Sequence, residues 1–136
     1  MANIIEVSDK LKSLIAEKGD IKAQYSVALT QTREITMENG EFTLFRTLFD
    51  NNVAVKVIKD GKVGATSINK FDDKALSDAV DNVIVSAEAG TADENFDIAP
   101  GMDAAKFTIG AVEPEIDKLM QRAKELSDDI KNRHPK

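Results

Sequence analysis

The side chains that most often do chemistry are sparse in this sequence. A hydrolytic metal site needs about three side-chain ligands and one open coordination position. The only histidine is His134, beside Pro135, and there is no cysteine. A zinc site would therefore need carboxylates alone, which suit harder cations. Asp93, Glu94 and Asp97 cluster but lack the glycine and spacing of a calcium loop, and read as a solvated stretch. Ser8, Ser13, Ser26, Ser67, Ser77, Ser86 and Ser127 stand in no nucleophile elbow, and one histidine leaves little to act as base. Asp60-Gly61-Lys62-Val63-Gly64 has the glycines and lysine of a phosphate cradle, but in a hairpin turn rather than a strand-to-helix junction. One Tyr and six Phe, mostly on apolar faces, make no base-stacking platform. The residues alone indicate a module that binds or positions something, with no catalytic, cofactor-binding or metal-binding residue expected.

Composition narrows the setting. A length of 136 residues suits one domain with a core that needs no staples. Without cysteine there are no disulfides, and nothing indicates an oxidising compartment. The start MANIIEVSDKLK has neither the basic beginning nor the apolar run of a secretory signal. No stretch has the apolar length needed to cross a bilayer. A soluble, cytoplasmic protein with no membrane partner is expected. The net charge of −6 is concentrated in the second half, where residues 71–136 carry 8 Lys and Arg against 15 Asp and Glu. An acidic half without a basic stripe argues against nucleic acid as a partner.

The elements that would position any binding surface follow from periodicity. Val7, Leu11, Leu14 and Ile15 form one helical face, Asn3 and Glu6 have capping-box spacing, and Gly19 supplies a left-handed C′, giving a helix over 4–18. Tyr25, Val27 and Leu29 alternate as a first strand that ends or bends near Gln31 and Arg33. Asn39-Gly40 is a type I′ turn signal between strands at 33–38 and 41–48, with Phe42 and Leu44 returning opposite Met37 and Ile35. Val53, Val55 and Val57 lead to a second such turn, Asp60-Gly61. Its two-residue loop sets Lys59 opposite Lys62, Ile58 opposite Val63, and Val57 opposite Gly64. Gly64 within a strand marks a bulge or a close backbone approach.

Asp72 caps a second helix carrying Leu76, Val80, Val83, Ile84 and Ala87, with Phe71 and Leu76 at staple spacing, and Gly90 closes it. Residues 91–112 read as a loop with a short extended piece at 106–109. Pro114 at N1, with Glu115 and Asp117 in the first turn, opens a third helix over 113–131, striped by Ile116, Leu119, Met120, Ala123, Leu126 and Ile130. The expected architecture is a single α+β domain: a mainly antiparallel four-stranded sheet built from hairpins, packed with two to three helices. Its α-β-β-β-β-α core spans about residues 4–90.

This order of elements resembles the N-terminal domain of the TldD/PmbA family, proteins labelled modulators of DNA gyrase and described as zinc metallopeptidase-like. Val55, Lys56, Val57, Asp60, Gly61, Lys62, Val63 and Gly64 match the family's hairpin run, with lysine replacing arginine, and Ser67 and Asn69 match the Ser-x-Asn before the helix. Asn52, Ala54 and Ala65 stand where the family more often has two glycines and an aromatic. The family's zinc motif, a helical His-Glu with a second histidine, lies far downstream in a longer chain, and nothing here matches it. The resemblance therefore implies the N-terminal part of a longer protein, with zinc in the downstream domain of the catalytic branch. It also implies a homo- or heterodimeric partner of the same family and a peptide substrate for the full-length protein.

The function expected on this basis is a non-catalytic domain serving dimerisation and peptide access. The alternative is an autonomous protein-interaction module without peptidase association. Candidate interaction residues are Phe45, Arg46, Phe49, Lys56, Gly64 and Asn69. Phe42, Phe45, Leu48 and Phe49 place apolar side chains on both parities of one strand. Either that strand is covered on both faces, or Phe45 and Phe49 form an exposed patch awaiting another domain or protomer.

Overall fold

Two turns set the topology. In the computed structural model, which describes residues 3–135, Asn39 and Gly40 have φ of 51° and 83°, and Asp60 and Gly61 of 51° and 70°. Both central residues of each pair are left-handed, as a type I′ turn requires. The elements run α1 (Ile4–Ala16), β1 (Lys22–Glu38), β2 (Glu41–Lys59), β3 (Lys62–Ile68), α2 (Asp73–Glu88) and α3 (Ile116–Arg133). The strands form one antiparallel sheet in the order β1-β2-β3.

The sheet has three strands, not the expected four. The first strand does not end near Gln31 and Arg33 but runs on to Glu38 as one of 17 residues, and the strand expected at 41–48 is continuous with the one that carries Val53 to Val57, giving one of 19 residues. The apparent breaks at Gln31 to Arg33 and at Asp50 to Asn52 contain neither glycine nor proline. The alternation fades there because the side chains of both parities are mostly exposed or half-buried, while the backbone stays extended.

The chain divides into two compact units, Met1–Gln31 with Phe49–Gly101 and Thr32–Leu48 with Met102–Lys136. In the first, β2 and β3 pair in the expected register: Lys59 opposite Lys62, Ile58 opposite Val63, Val57 opposite Gly64, and on to Val53 opposite Ile68. No bulge interrupts this ladder. Val53, Val55 and Val57 are buried against Val7, Leu11 and Ile15 of α1 and Leu76, Val80, Val83 and Ala87 of α2, with Ala23, Tyr25 and Val27 of β1 packed alongside. Ile58, of opposite parity, is also buried but stands outside that cluster. Near the same turn the segment after α2 is tied down, by Asp93 N–H donating to Gly61 O at 2.9 Å and by Lys22 pairing with Asp97 at 2.6 Å.

Both helix starts in this unit use side-chain caps. Asn3 Oδ1 accepts from Ile5 N–H at 3.0 Å, and its Nδ2 donates to Glu6 Oε1 at 3.2 Å, so Glu6 meets the cap's side chain rather than its backbone. Asp72 Oδ1 accepts from Ala75 N–H at 3.0 Å, and Phe71 packs on the core beside buried Leu76. Helix α1 ends at Ala16 with Glu17 as C-cap, two residues short of the expected end. Gly19, with φ of 85°, therefore lies one residue beyond the C′ position.

The second unit contains the Asn39-Gly40 hairpin and α3. This helix starts after Pro114: Glu115 is its N-cap, without a side-chain hydrogen bond, so the proline precedes the first turn instead of opening it. Residues 91–115 are irregular, and the short extended piece expected at 106–109 is not a strand. None of the described residues of this unit is buried.

Candidate functional site

The six expected interaction residues do not converge on one place. In the first unit, Gly64 is buried under α2: a β-carbon there would overlap the Val83 carbonyl oxygen and lie 2.7 Å from Ala87 N. Its role is to let helix and sheet backbones approach, which removes it from any accessible surface. Lys56 is half-buried on the sheet face opposite the helices, in a shallow cavity of about 220 Å³ with Gln24, Ser26, Ala54 and Ala65. Phe49 is 64% exposed.

Asn69 lies just past β3 in a cavity of about 570 Å³, shared with Asn51, Asn52, Ser67, Lys70 and Asn82. Within this lining Ser67 Oγ donates to Asn52 Oδ1 at 2.6 Å. Sequence reading singled out Asn69 through its motif but not Asn51 or Asn82. The only local signals for those were the Asn51-Asn52 pair and a polar residue on the helix four positions after Asp78.

In the second unit, Arg46 pairs with Glu34, and both line a cavity of about 360 Å³ with Arg33, Phe45 and Ile116. Arg33 in turn donates to Glu113 at 2.9 Å. Phe45 is 56% exposed, its ring 5.7 Å from that of Phe42. A larger apolar cavity of about 730 Å³ lies between the Asn39-Gly40 turn and α3, lined by Met37, Leu126, Ile130 and His134 among others. His134 is the C-cap of α3, its N–H donating to Ile130 O at 2.9 Å.

The ionisable groups serve local structure. Asp93 accepts from the backbone N–H and side-chain amide of Asn95, both at 2.8 Å, and these bonds hold its carboxyl below the ordinary range. The Lys22 ammonium, followed by the Ile98 N–H, does the same for Asp97. Lys59 lowers Glu88 and is raised by it in turn. Among the described residues no three His, Asp or Glu side chains are grouped so as to hold a metal ion. No helix among them is long and apolar enough to cross a membrane.

Comparison with known proteins places this geometry. A model of the first domain of the PmbA/TldA metallopeptidases matches residues 27–87. No curated protein matches the chain. Among solved structures, the fold is similar to that of TldE from Thermococcus kodakarensis, with a TM-score of 0.74 and 14% identity over 93% of this chain. It is also similar to a Thermotoga maritima protein named as a candidate modulator of a DNA gyrase, with a TM-score of 0.63 and 20% identity over 90% of this chain. The match spans only 29% and 28% of those two proteins. The matched strands and helix, residues 27–87, are thus similar to the first domain of the PmbA/TldA metallopeptidases, and the fold is similar to that of the two solved proteins.

Proposed function

We propose that this chain is the non-catalytic N-terminal domain of a TldD/PmbA-like peptidase-family protein, contributing to dimerisation and to access of a peptide substrate. In this reading zinc chemistry belongs to a downstream region of the catalytic branch, and this chain supplies surfaces. The observation that carries it is the apolar surface of the second unit. Leu44, Phe45 and Leu48 of β2 are 40–56% exposed, and Leu119, Leu126 and Ile130 of α3 are 48–60% exposed. Phe107, Ile109 and Val112 of the preceding loop are more than 80% exposed. Apolar exposure on this scale supports the reading that another domain or protomer covers this surface.

Two measurements test the reading. The coding sequence beyond Lys136 is expected to continue into a region longer than this chain. A stop codon there would leave an autonomous protein-interaction module instead. Sedimentation of the chain is expected to show concentration-dependent association that Phe45→Ser weakens while the far-ultraviolet helical signal is kept. A wild type that stays monomeric at every concentration would remove the dimerisation part.

A further inference from the structure

The 730 Å³ cavity of the second unit lies between α3 and the Asn39-Gly40 turn, and its volume is in the range of ligand sites. Its helical wall is one stripe of two parallel rows, since residues three and four apart share a face. Ala123, Leu126 and Ile130 make the apolar row, and Ser127 and Lys131 the polar row beside it. From β1, half-buried Met37 adds a flexible thioether, which fits an apolar chain of no fixed shape.

The charge of this lining is opposite to that of its surroundings. Residues 71–136 carry 15 Asp and Glu against 8 Lys and Arg, yet no carboxylate of a described residue lines the cavity. None of the ion pairs among the described residues includes Lys131. Its ammonium lies against Gly40 instead: a β-carbon there would overlap Lys131 Nζ and lie 3.1 Å from Ser127 Oγ. The glycine of the turn thus leaves an ammonium and a hydroxyl close together, and both can donate. The carbonyl end of α3 carries about half a negative charge, which the full charge of Lys131 exceeds.

We propose that this cavity binds a straight-chain aliphatic carboxylate, with its head group at Lys131 and Ser127 and its tail among Met37, Leu126 and Ile130. The carboxylate accepts from both donors, and the tail covers the apolar row. The proposal goes beyond the reading above, because it assigns part of the exposed apolar surface to a small ligand instead of a protein.

NMR of the Met37 and Ala123 methyl signals tests this. The probes are sodium octanoate, kept below its micelle-forming concentration, and octylammonium chloride, which has the same tail and the opposite head charge. Saturable shifts with octanoate are expected, and clearly weaker binding of octylammonium. Lys131→Gln, at an exposed helical position that tolerates glutamine, is expected to weaken octanoate roughly fivefold, the upper end for an exposed ion pair, without weakening octylammonium. Leu126→Gln, at a position 60% exposed, is expected to weaken both ligands while the far-ultraviolet helical signal is kept.

No saturable shift with octanoate would overturn the proposal. Equal binding of the two ligands would do so too, as would octanoate binding undiminished in Lys131→Gln, because the cavity would then be an apolar surface without a head-group site. Titration at the lowest chain concentration that NMR allows, beside sedimentation at that concentration, separates ligand binding from any association of the chain.

Discussion

Replacing Gly64 by alanine adds one carbon, and the structure makes that carbon costly. It would fall within contact distance of two backbone atoms of α2, the Val83 carbonyl oxygen and Ala87 N, and 3.1 Å from the Ala87 β-carbon. Backbone inside a helix cannot rotate away as a side-chain tip can. Helix α2 must therefore lift off the sheet, by about 0.7 Å merely to bring Ala87 N from 2.7 Å to the 3.4 Å of ordinary contact. A radial gap of roughly 0.5–1 Å forfeits a quarter to a half of each dispersion contact, and α2 buries Leu76, Ala79, Val80, Val83 and Ala87 on that side. The expected cost is roughly 3 kcal/mol for alanine, the top of the range for overpacked cores, and more for valine.

Gly19→Ala is the internal comparison. Its β-carbon meets nothing within 4 Å, and only the φ of 85° opposes it, at about 1 kcal/mol. With a urea dependence of roughly 1–3 kcal/mol per molar, Gly64→Ala should lower the denaturation midpoint by about 1–3 M and Gly19→Ala by about a third of that. Equal midpoints would refute the argument that helix-to-sheet approach, rather than backbone conformation, fixes glycine at position 64.

Two further outcomes are expected. Asp72→Ala removes the side-chain acceptor for Ala75 N–H and should destabilise the protein by about 1 kcal/mol, with Asp72→Ser retaining most of the stability in the same denaturation assay. Asp97 is held below the ordinary carboxylate range by Lys22, so its contribution to stability is present above the unfolded carboxyl pKa and is lost as pH falls through the lower folded value. Carboxyl NMR titration should show the Asp97 pKa rising in Lys22→Ala, and an unmoved pKa would show that the ion pair does not form in solution.

Much of the fold was legible because a few residues have few options. Asn39-Gly40 and Asp60-Gly61 tolerate positive φ at both turn positions, so they fixed where the chain reverses, and the second fixed a register that holds from Lys59 to Val53. Asp72 declared a helix start through its side-chain acceptor. The continuity of β2 was not legible and that of β1 was left open, because periodicity reports burial rather than backbone conformation. Where Gln31 to Glu34 and Leu48 to Asn52 are exposed or half-buried, an extended chain has no reason to alternate.

The candidate site was nearly invisible for a related reason. Asn51, Asn69 and Asn82 are separated by 18 and 13 positions in the sequence, and each alone is an ordinary polar residue. Asn69 was noticed only because Ser67 precedes it in a motif. Phe45 and Phe49 were ambiguous between core and contact surface, and the structure leaves both more than half exposed.

The Asp60-Gly61 turn also bears on the order in which the first unit assembles. Closing a chain costs entropy that grows with the length enclosed, and a two-residue loop encloses almost none. Hairpins of this kind form within about 1–10 μs. Helix α2 follows β3 after four residues, so its packing across Gly64 and Val57 also closes a short loop. Helix α1, by contrast, is separated from α2 by all three strands in the sequence, and the pairing of Lys18 with Asp81 and the shared burial of Leu11 and Leu76 bring the two helices together only once those strands are in place. The β2–β3–α2 segment is thus the part of the core that can be built from local contacts, and α1 is the lid added to it once the longest loop has been closed.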